Sequence, residues 1–251
     1  MSPAPEAQTL VSFRDVSKVF VTGSKRRTRT VTAVDSVDLD IRRGEIFAVI
    51  GYSGAGKSTL VRGLVGVLPA VTGSVRLDGA ALDQWDSEVI GQHIGYVPQN
   101  VELLTGTVAQ NIARFEPDAP ADLVIDAARQ AGVHDLILHL PEGYETQVGN
   151  DGSRLSAGQR QRIALARALL LPFRVLVLDE SLSEVDAPTA AAILSAILAR
   201  HPGRTILVIA HAGPARALAF DQAVMLAPDP ALRSSRGEAP NQREKARENA
   251  V

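Results

Sequence analysis

Residues 51–58 read Gly51-Tyr-Ser-Gly-Ala-Gly-Lys57-Ser58, and this stretch decides the fold class. It fits the pattern G-x-x-x-x-G-K-[ST]. The apolar run 46–50 before it is typical of a buried parallel strand, and a helix is predicted from Lys57 onward. Glycines let backbone N–H groups curl around an anion, and the helix N-terminus adds positive potential. The order of strand, glycine loop and helix therefore predicts a phosphate-binding loop in an α/β domain.

The loop supplies most of the residues expected to contact a triphosphate. Lys57 can reach the β- and γ-phosphates, and the Ser58 hydroxyl can ligate Mg²⁺, a hard cation that prefers oxygen. A glycine-rich turn without a ligand is the alternative, and the complete motif between a strand and a helix weighs against it. The loop alone does not say which nucleoside triphosphatase this is. The other predicted contacts are Gly51, Tyr52, Ser53, Gly54, Ala55, Gly56 and Thr59.

A second apolar run ends on two adjacent carboxylates, in the order Val175-Leu-Val-Leu178-Asp179-Glu180. Open α/β sheets bind ligands at the carboxyl ends of their strands. Asp179 is predicted to hold Mg²⁺ through water, and Glu180 to orient or deprotonate the attacking water. A helix N-cap with a solvated neighbour is a common alternative for such a pair. The phosphate-binding loop elsewhere in the chain favours the metal and water roles.

The segment Leu155-Ser156-Ala157-Gly158-Gln159-Arg160-Gln161-Arg162 indicates the family. It resembles the LSGGQ signature of the ATP-binding-cassette (ABC) ATPases, and it lies between the loop and the Asp-Glu strand, as in that family. A serine at a helix start with small neighbours offers a hydroxyl, N–H groups and a dipole to an anion. Standing alone, the segment would be only a capped helix start. Ala157 replaces the usual glycine and adds a methyl group near the expected phosphate.

The resemblance covers about residues 11–226 and carries the fold and activity expected of that family. It implies a P-loop NTPase with a parallel-sheet core, an N-terminal antiparallel β subdomain and an inserted α-helical subdomain. It implies that two such domains, identical or not, pair head to tail around two MgATP, with Ser156, Ala157, Gly158 and Gln159 contacting the ATP held by the opposite protomer. ATP and Mg²⁺ are the expected cofactors. Hydrolysis is expected at the cytoplasmic face of the cell membrane, coupled to a membrane-spanning transporter subunit in a separate chain.

Four further residues match family positions. Gln99 matches the Q-loop glutamine, which approaches Mg²⁺ or the water, and Asp186 matches the D-loop aspartate at the dimer seam. His211 matches the switch histidine that contacts the γ-phosphate, although a lone histidine after a strand is more often incidental. Phe20 falls where the family places an adenine-stacking aromatic residue. A core phenylalanine within an alternating strand is the rival interpretation of Phe20.

The direction of transport is indicated by two partial resemblances. Residues 44–57 resemble methionine-importer ATPases, whereas residues 64–169 resemble exporter domains, especially type I protein-secretion ATPases. The stretch 140–149 resembles the exporter X-loop, with Asn150 in place of its usual acidic residue. An exporter is therefore favoured over an importer. Two functions outside transport stay open: a soluble ABC ATPase that remodels a protein or nucleic-acid complex, and a cassette that binds ATP without hydrolysing it.

The composition excludes several other classes of function. The chain has 251 residues with 45% hydrophobic and 22% charged, a formal net charge of −2 and no cysteine. No global field attracts it to nucleic acid, and disulfides and thiolate metal sites are excluded. No run approaches the roughly 20 apolar residues of a membrane span. The basic cluster Lys25-Arg26-Arg27 with Arg29 fits a solvated hairpin turn better than a contact with phospholipid or nucleic acid.

The chain is expected to divide into three parts. Residues 1–9 form an N-terminal tail, and residues 10–227 form the ATPase domain, with its helical subdomain at about 100–160. Residues 228–251 are polar and charged, and we expect them to be disordered because they cannot bury enough apolar surface.

Overall fold

The computed structural model describes residues 8–24, 27–68, 72–183, 185–211 and 220–226. Its central sheet has five parallel strands in the order β6-β7-β8-β3-β9. β7 is buried along its whole length, which explains its uninterrupted apolar sequence. β3 lies between β8 and β9, so the loop that follows it leaves the sheet from the interior. The strands are β3 (Ile46–Gly51), β6 (Ile94–Val97), β7 (Val175–Asp179), β8 (Thr205–Ala210) and β9 (Gln222–Leu226).

A second, antiparallel sheet covers one side of the core in the order β2-β1-β4-β5. β1 (Thr9–Ser24) and β2 (Arg27–Arg42) form the predicted hairpin, followed in the sheet by β4 (Thr72–Leu77) and β5 (Ala80–Ala81). Buried side chains of β1 share one apolar cluster with α1 (Lys57–Leu64) and the central sheet. The hairpin turn, with Lys25 and Arg26 of the basic cluster, lies outside the described residues.

Helices form the other side of the core. α3 (Val108–Ile112), α4 (Ala121–Gln130) and α5 (His134–Leu138) pack with α6 (Ala157–Leu169) around a second apolar cluster. The sequence of residues 155–171 predicts one helix. The observed α6 begins only at Ala157, because the Ser156 hydroxyl accepts a hydrogen bond from the backbone N–H of Gln159 and caps the helix. Two further α-helices among the described residues are α2 (Ser87–His93) and α7 (Ala187–Arg200).

These three layers confirm the predicted fold class of parallel core, antiparallel β subdomain and inserted helices. Within the described part of the chain, no helix is both long and apolar enough to cross a membrane. The predicted disordered tail, 228–251, and most of the predicted N-terminal tail, 1–7, lie outside the described residues.

Candidate active site

Two glycines let the loop after β3 pass between neighbouring strands. A Cβ atom on Gly51 would lie 2.6 Å from the carbonyl oxygen of Leu226, and one on Gly56 would lie 1.9 Å from that of Ala33. Gly56 also has a φ of +85°, which side-chain-bearing residues rarely adopt. Glycine is therefore required at both ends of the loop. Between them, Tyr52, Ser53 and Gly54 are exposed and Ala55 is buried.

Lys57 holds its ammonium group at the mouth of this loop. The side chain is only 4% exposed. Its Nζ donates to the carbonyl oxygens of Gly51, at 2.9 Å, and Tyr52, at 3.1 Å. The same nitrogen lies 3.3 Å from Oε1 of Glu180. Lys57 therefore links the loop to the carboxylate at the end of β7, while Thr59, two residues on, is half-buried in the first turn of α1.

Asp179 is fully buried and is held by two hydroxyl groups. The Ser58 hydroxyl donates to Oδ1 at 2.9 Å, and the Tyr96 hydroxyl donates to Oδ2 at 3.3 Å. Burial raises the pKa of Asp179 above its ordinary value, the charge of Glu180 adds to the rise, and the two hydrogen bonds oppose it. Burial and the charge of Asp179 also raise the pKa of Tyr96, so its hydroxyl remains a donor at neutral pH.

The oxygen atoms of Ser58 and Asp179 suit a hard cation. Among the described residues, no three His, Cys, Asp or Glu side chains lie together as a complete metal cage. Mg²⁺ is commonly bound through one or two protein oxygens, with its other ligands supplied by water and phosphate.

Glu180 is the point on which several segments converge. Its backbone has a φ of +53°, which is strained for a residue with a side chain, and its N–H donates to the carbonyl of Ile209 at 3.1 Å. Oε2 accepts from Nε2 of Gln99 at 2.6 Å and lies 3.1 Å from Nε2 of His211. With Lys57 on Oε1, residues that follow β3, β6 and β8 in the chain surround one carboxylate that is 7% exposed. The structure thus brings together Lys57, Ser58, Gln99, Asp179, Glu180 and His211.

The residues of the signature segment and Asp186 lie at the starts of two other helices. Gln159 and Ser156 bond each other reciprocally: Gln159 N–H donates to the serine Oγ at 3.2 Å, and Ser156 N–H donates to Gln159 Oε1 at 2.8 Å. Ser156 and Ala157 are exposed, and Gly158 follows within the first turn of α6. Asp186 caps α7 by accepting from Thr189 N–H at 2.9 Å, and this contact lowers the pKa of Asp186. Both helix starts are therefore exposed to solvent, with their capping side chains bonded within their own first turns.

Phe20 is not a core residue. Its side chain is 36% exposed on β1, and the Lys18 ammonium lies 5.8 Å from its ring centroid. The rival interpretation of Phe20 as part of the apolar core is therefore wrong. Its contact with an adenine ring stays a prediction.

Comparison with known proteins identifies the family. The model of the ABC transporter family matches residues 34–183, which include the phosphate-binding loop, the signature segment and the Asp-Glu strand. The chain belongs to the ABC transporter family. The predicted identity as an ABC ATPase domain, with the nucleotide binding that the family implies, is confirmed.

Curated relatives of this ABC chain include secretion and translocation proteins. The type I secretion system ATP-binding protein PrsD of Rhizobium meliloti is 52% identical over 71% of this chain and 31% of its own length. The leukotoxin translocation ATP-binding protein LktB of Mannheimia haemolytica is 38% identical over 82% of this chain and 28% of its own length. A solved structure of a bacterial Atm1-family ABC exporter with ATP bound matches all of this chain and 45% of that chain, at 30% identity and a TM-score of 0.76. The chain thus spans less than half the length of each of these relatives, and the exporter resemblance of its middle part is confirmed.

Tyr96 had no predicted role, although its hydroxyl contacts Asp179 in this ABC domain. The two residues are 83 positions apart. No local pattern marks the contact, because only the pairing of β6 with β7 brings the residues together.

Proposed function

We propose that this chain is the ATP-hydrolysing subunit of an ABC exporter. It works at the cytoplasmic face of a membrane and drives a membrane-spanning partner in a separate chain. The observation that carries the catalytic part is the convergence of Lys57, Gln99 and His211 on the buried carboxylate of Glu180, beside the phosphate-binding loop. The export part rests on the similarity to PrsD and LktB and to the Atm1-family exporter.

Nucleotide binding would use the loop 51–59. Its backbone N–H groups and the start of α1 would surround the phosphates, and the Lys57 ammonium would exchange its carbonyl partners for phosphate oxygens. Bound Mg²⁺, held by Ser58 and through water by Asp179, would neutralise charge that develops on the transferred phosphoryl group. Phe20, exposed on β1, would stack on the base.

Hydrolysis would depend on Glu180. When phosphate draws Lys57 away, the Glu180 carboxylate loses its cation and becomes free to orient or deprotonate a water molecule. Gln99 and His211 already contact its Oε2, so both are placed to hold the carboxylate or the water in line with the γ-phosphate. The positive φ of Glu180 is a strained backbone conformation of the kind that clusters at active sites.

The active unit would be a head-to-tail dimer of ABC domains, identical or different. The start of α6 presents an exposed serine cap, small neighbours and the positive end of a 13-residue helix, which suit the γ-phosphate of an ATP held by the opposite domain. Asp186, exposed at the start of α7, would lie at the seam.

Co-purification tests the transporter assignment. The tagged Glu180→Gln variant is extracted from host membranes in mild detergent with MgATP, and the proteins that elute with it are identified. Glu116→Gln is a matched control, because Glu116 is an exposed glutamate outside the site. We expect one polytopic membrane protein in stoichiometric amount, retained better by Glu180→Gln than by the control. Recovery of only soluble protein or nucleic acid would overturn the transporter assignment. Recovery of membrane-spanning segments on the same polypeptide would replace the separate chain by a fused one.

A further inference from the structure

We propose that Tyr96 is a positioning residue for Asp179: its hydroxyl fixes the second oxygen of the carboxylate and thereby sets the geometry of Mg²⁺ at this site. The inference rests on the proposed function, because it concerns the same metal. It assigns a role to a side chain that lies three residues before the Q-loop glutamine and contacts neither the phosphate-binding loop nor Glu180 by any hydrogen bond in the described residues.

Sheet register explains why Tyr96 can do this. β6 runs parallel to β7, with Tyr96 opposite Val177. Side chains two residues apart along a strand share a face, so Val177 and Asp179 point to the same side of the sheet. The long phenol ring of Tyr96, packed against the apolar cluster that contains Val177, extends along this face to Asp179 Oδ2. The backbone of β6 therefore dictates where that carboxylate oxygen lies.

The two hydroxyl groups on Asp179 have different freedom. The Ser58 hydroxyl donates to Oδ1. Because this hydroxyl is also the group expected to bind Mg²⁺, its position depends on whether the metal is bound. The Tyr96 hydroxyl donates to Oδ2 from β6, a strand of the central sheet, so the position of this hydroxyl depends only on the fold. Without the phenol, Oδ2 would be a buried carboxylate oxygen with no donor, and the plane of the carboxylate would no longer be fixed. Mg²⁺ tolerates little departure from octahedral geometry.

Arg62 adds positive charge near the same groups. It lies four residues after Ser58 on α1, so both residues occupy one face of that helix. The charge of Arg62 opposes the rise in the pKa of Tyr96 and in the pKa of Asp179. Helix α1 therefore acts on the carboxylate through the Ser58 hydroxyl and through the charge of Arg62.

The test compares ADP binding in excess Mg²⁺ and in EDTA for Tyr96→Phe and for the native protein. The substitution removes one oxygen and keeps the ring. We expect unchanged affinity in EDTA and a loss of about three- to tenfold in the extra affinity that Mg²⁺ confers, the size expected for removal of one hydrogen bond. Spectroscopy of bound Mn²⁺ is a second readout, in which the variant should show weaker binding and an altered signal. Tyr144→Phe is the matched control, because its hydroxyl contacts His134 in the helical subdomain.

Two results for Tyr96→Phe would overturn the inference. One is an increase in ADP affinity on adding Mg²⁺ that equals the increase in the native protein. The other is an equal loss of ADP affinity in EDTA and in Mg²⁺, which indicates a general structural role. If Tyr96→Phe does not fold, Arg62→Gln replaces it, since Arg62 is exposed. For Arg62→Gln, a reduction in the extra ADP affinity that Mg²⁺ confers, smaller than the one expected for Tyr96→Phe, supports the inference. An unchanged Mg²⁺-dependent increase in ADP affinity contradicts it. A native protein that binds no ADP in either condition would instead refute the proposed function, and this inference with it.

Discussion

Replacing Glu180 by glutamine changes one buried carboxylate into an amide of nearly the same volume. Glu180 is 7% exposed and is contacted by Lys57 at 3.3 Å, Gln99 at 2.6 Å and His211 at 3.1 Å. At the position of Oε2, the amide oxygen of glutamine can still accept from Gln99 and face His211, while its NH2 group takes the place of Oε1 beside Lys57. The side chain keeps its volume, so the site keeps its shape although Lys57 loses an acceptor. The amide nitrogen cannot take a proton, so the variant has no base. We therefore expect Glu180→Gln to bind ATP and to lose turnover.

The size of the loss follows from the role assigned to the carboxylate. A positioned general base contributes roughly 10²–10⁴-fold to a rate, or about 2.7–5.4 kcal/mol of activation free energy. Affinity for ATP should change by only a few-fold, because the loop, Lys57 and Ser58 are unaltered. The variant without ATP should melt below the native protein, since Lys57 loses its anionic partner while it stays buried. ATP should restore more of this stability in the variant, since phosphate supplies the missing negative charge.

The assay measures phosphate release in MgATP and nucleotide affinity on the same preparation. Glu116→Gln, an exposed change outside the site, should match the native protein in both. If Glu180→Gln hydrolysed ATP at the native rate, Glu180 would not be the catalytic carboxylate. If it lost ATP binding as well as turnover, the carboxylate would be needed to build the site, and the reasoning from preserved shape would be refuted.

The remaining predictions concern the loop and the metal-binding carboxylate. Lys57→Ala should abolish measurable nucleotide binding in a titration, and unchanged affinity would contradict the role of the loop. Gly54→Ala and Gly56→Ala each place a side chain on a residue with positive φ, +83° and +85° respectively, but only the Cβ at position 56 collides with the Ala33 carbonyl. In urea titrations, Gly54→Ala should therefore lower the free energy of unfolding by about 1–2 kcal/mol, and Gly56→Ala should lower it by more. Equal losses would contradict the close packing of the loop. Burial raises the pKa of Asp179 above 3.8, so the folded state loses stability as the pH rises from that value through the raised pKa. Asp179→Asn should therefore gain unfolding free energy relative to the native protein over that window, most at neutral pH, while losing Mg²⁺-dependent hydrolysis; a difference that shrinks as the pH rises would reverse the sign we infer.

The sequence was sufficient for the parts of the site that local patterns encode. The backbone path requires glycine at positions 51 and 56. The apolar runs before Gly51 and Asp179 are buried parallel strands, so both motifs lie at the carboxyl ends of strands, on the same side of the sheet. The helix over 155–171 was predicted with ends about two residues too long, because the reciprocal bonds of Ser156 and Gln159 start the helix later than its apolar pattern does. The family match of residues 34–183 rests on these same motifs.

The contacts between motifs could not be predicted in this way. Gln99 and Glu180 are 81 residues apart, and the strand order of the central sheet is what brings their side chains to 2.6 Å. The role of Tyr96 depends on its register against Val177, which no local spacing records. Strand β9 was not predicted, because it lies at the sheet edge and its five residues are half-buried or exposed in alternation. Such features follow from the assembled sheet, and the sequence pattern alone does not specify them.

The most direct test of a paired ATPase is the rate of ATP hydrolysis per chain, measured in MgATP over a wide range of chain concentration. If two chains complete each site, the rate per chain rises with concentration and then saturates, and Glu180→Gln stays at background throughout. A rate per chain that is constant over concentrations at which sedimentation shows the chain to be monomeric would show that one chain hydrolyses ATP alone. The proposed role of the signature segment on the opposite protomer would then be wrong.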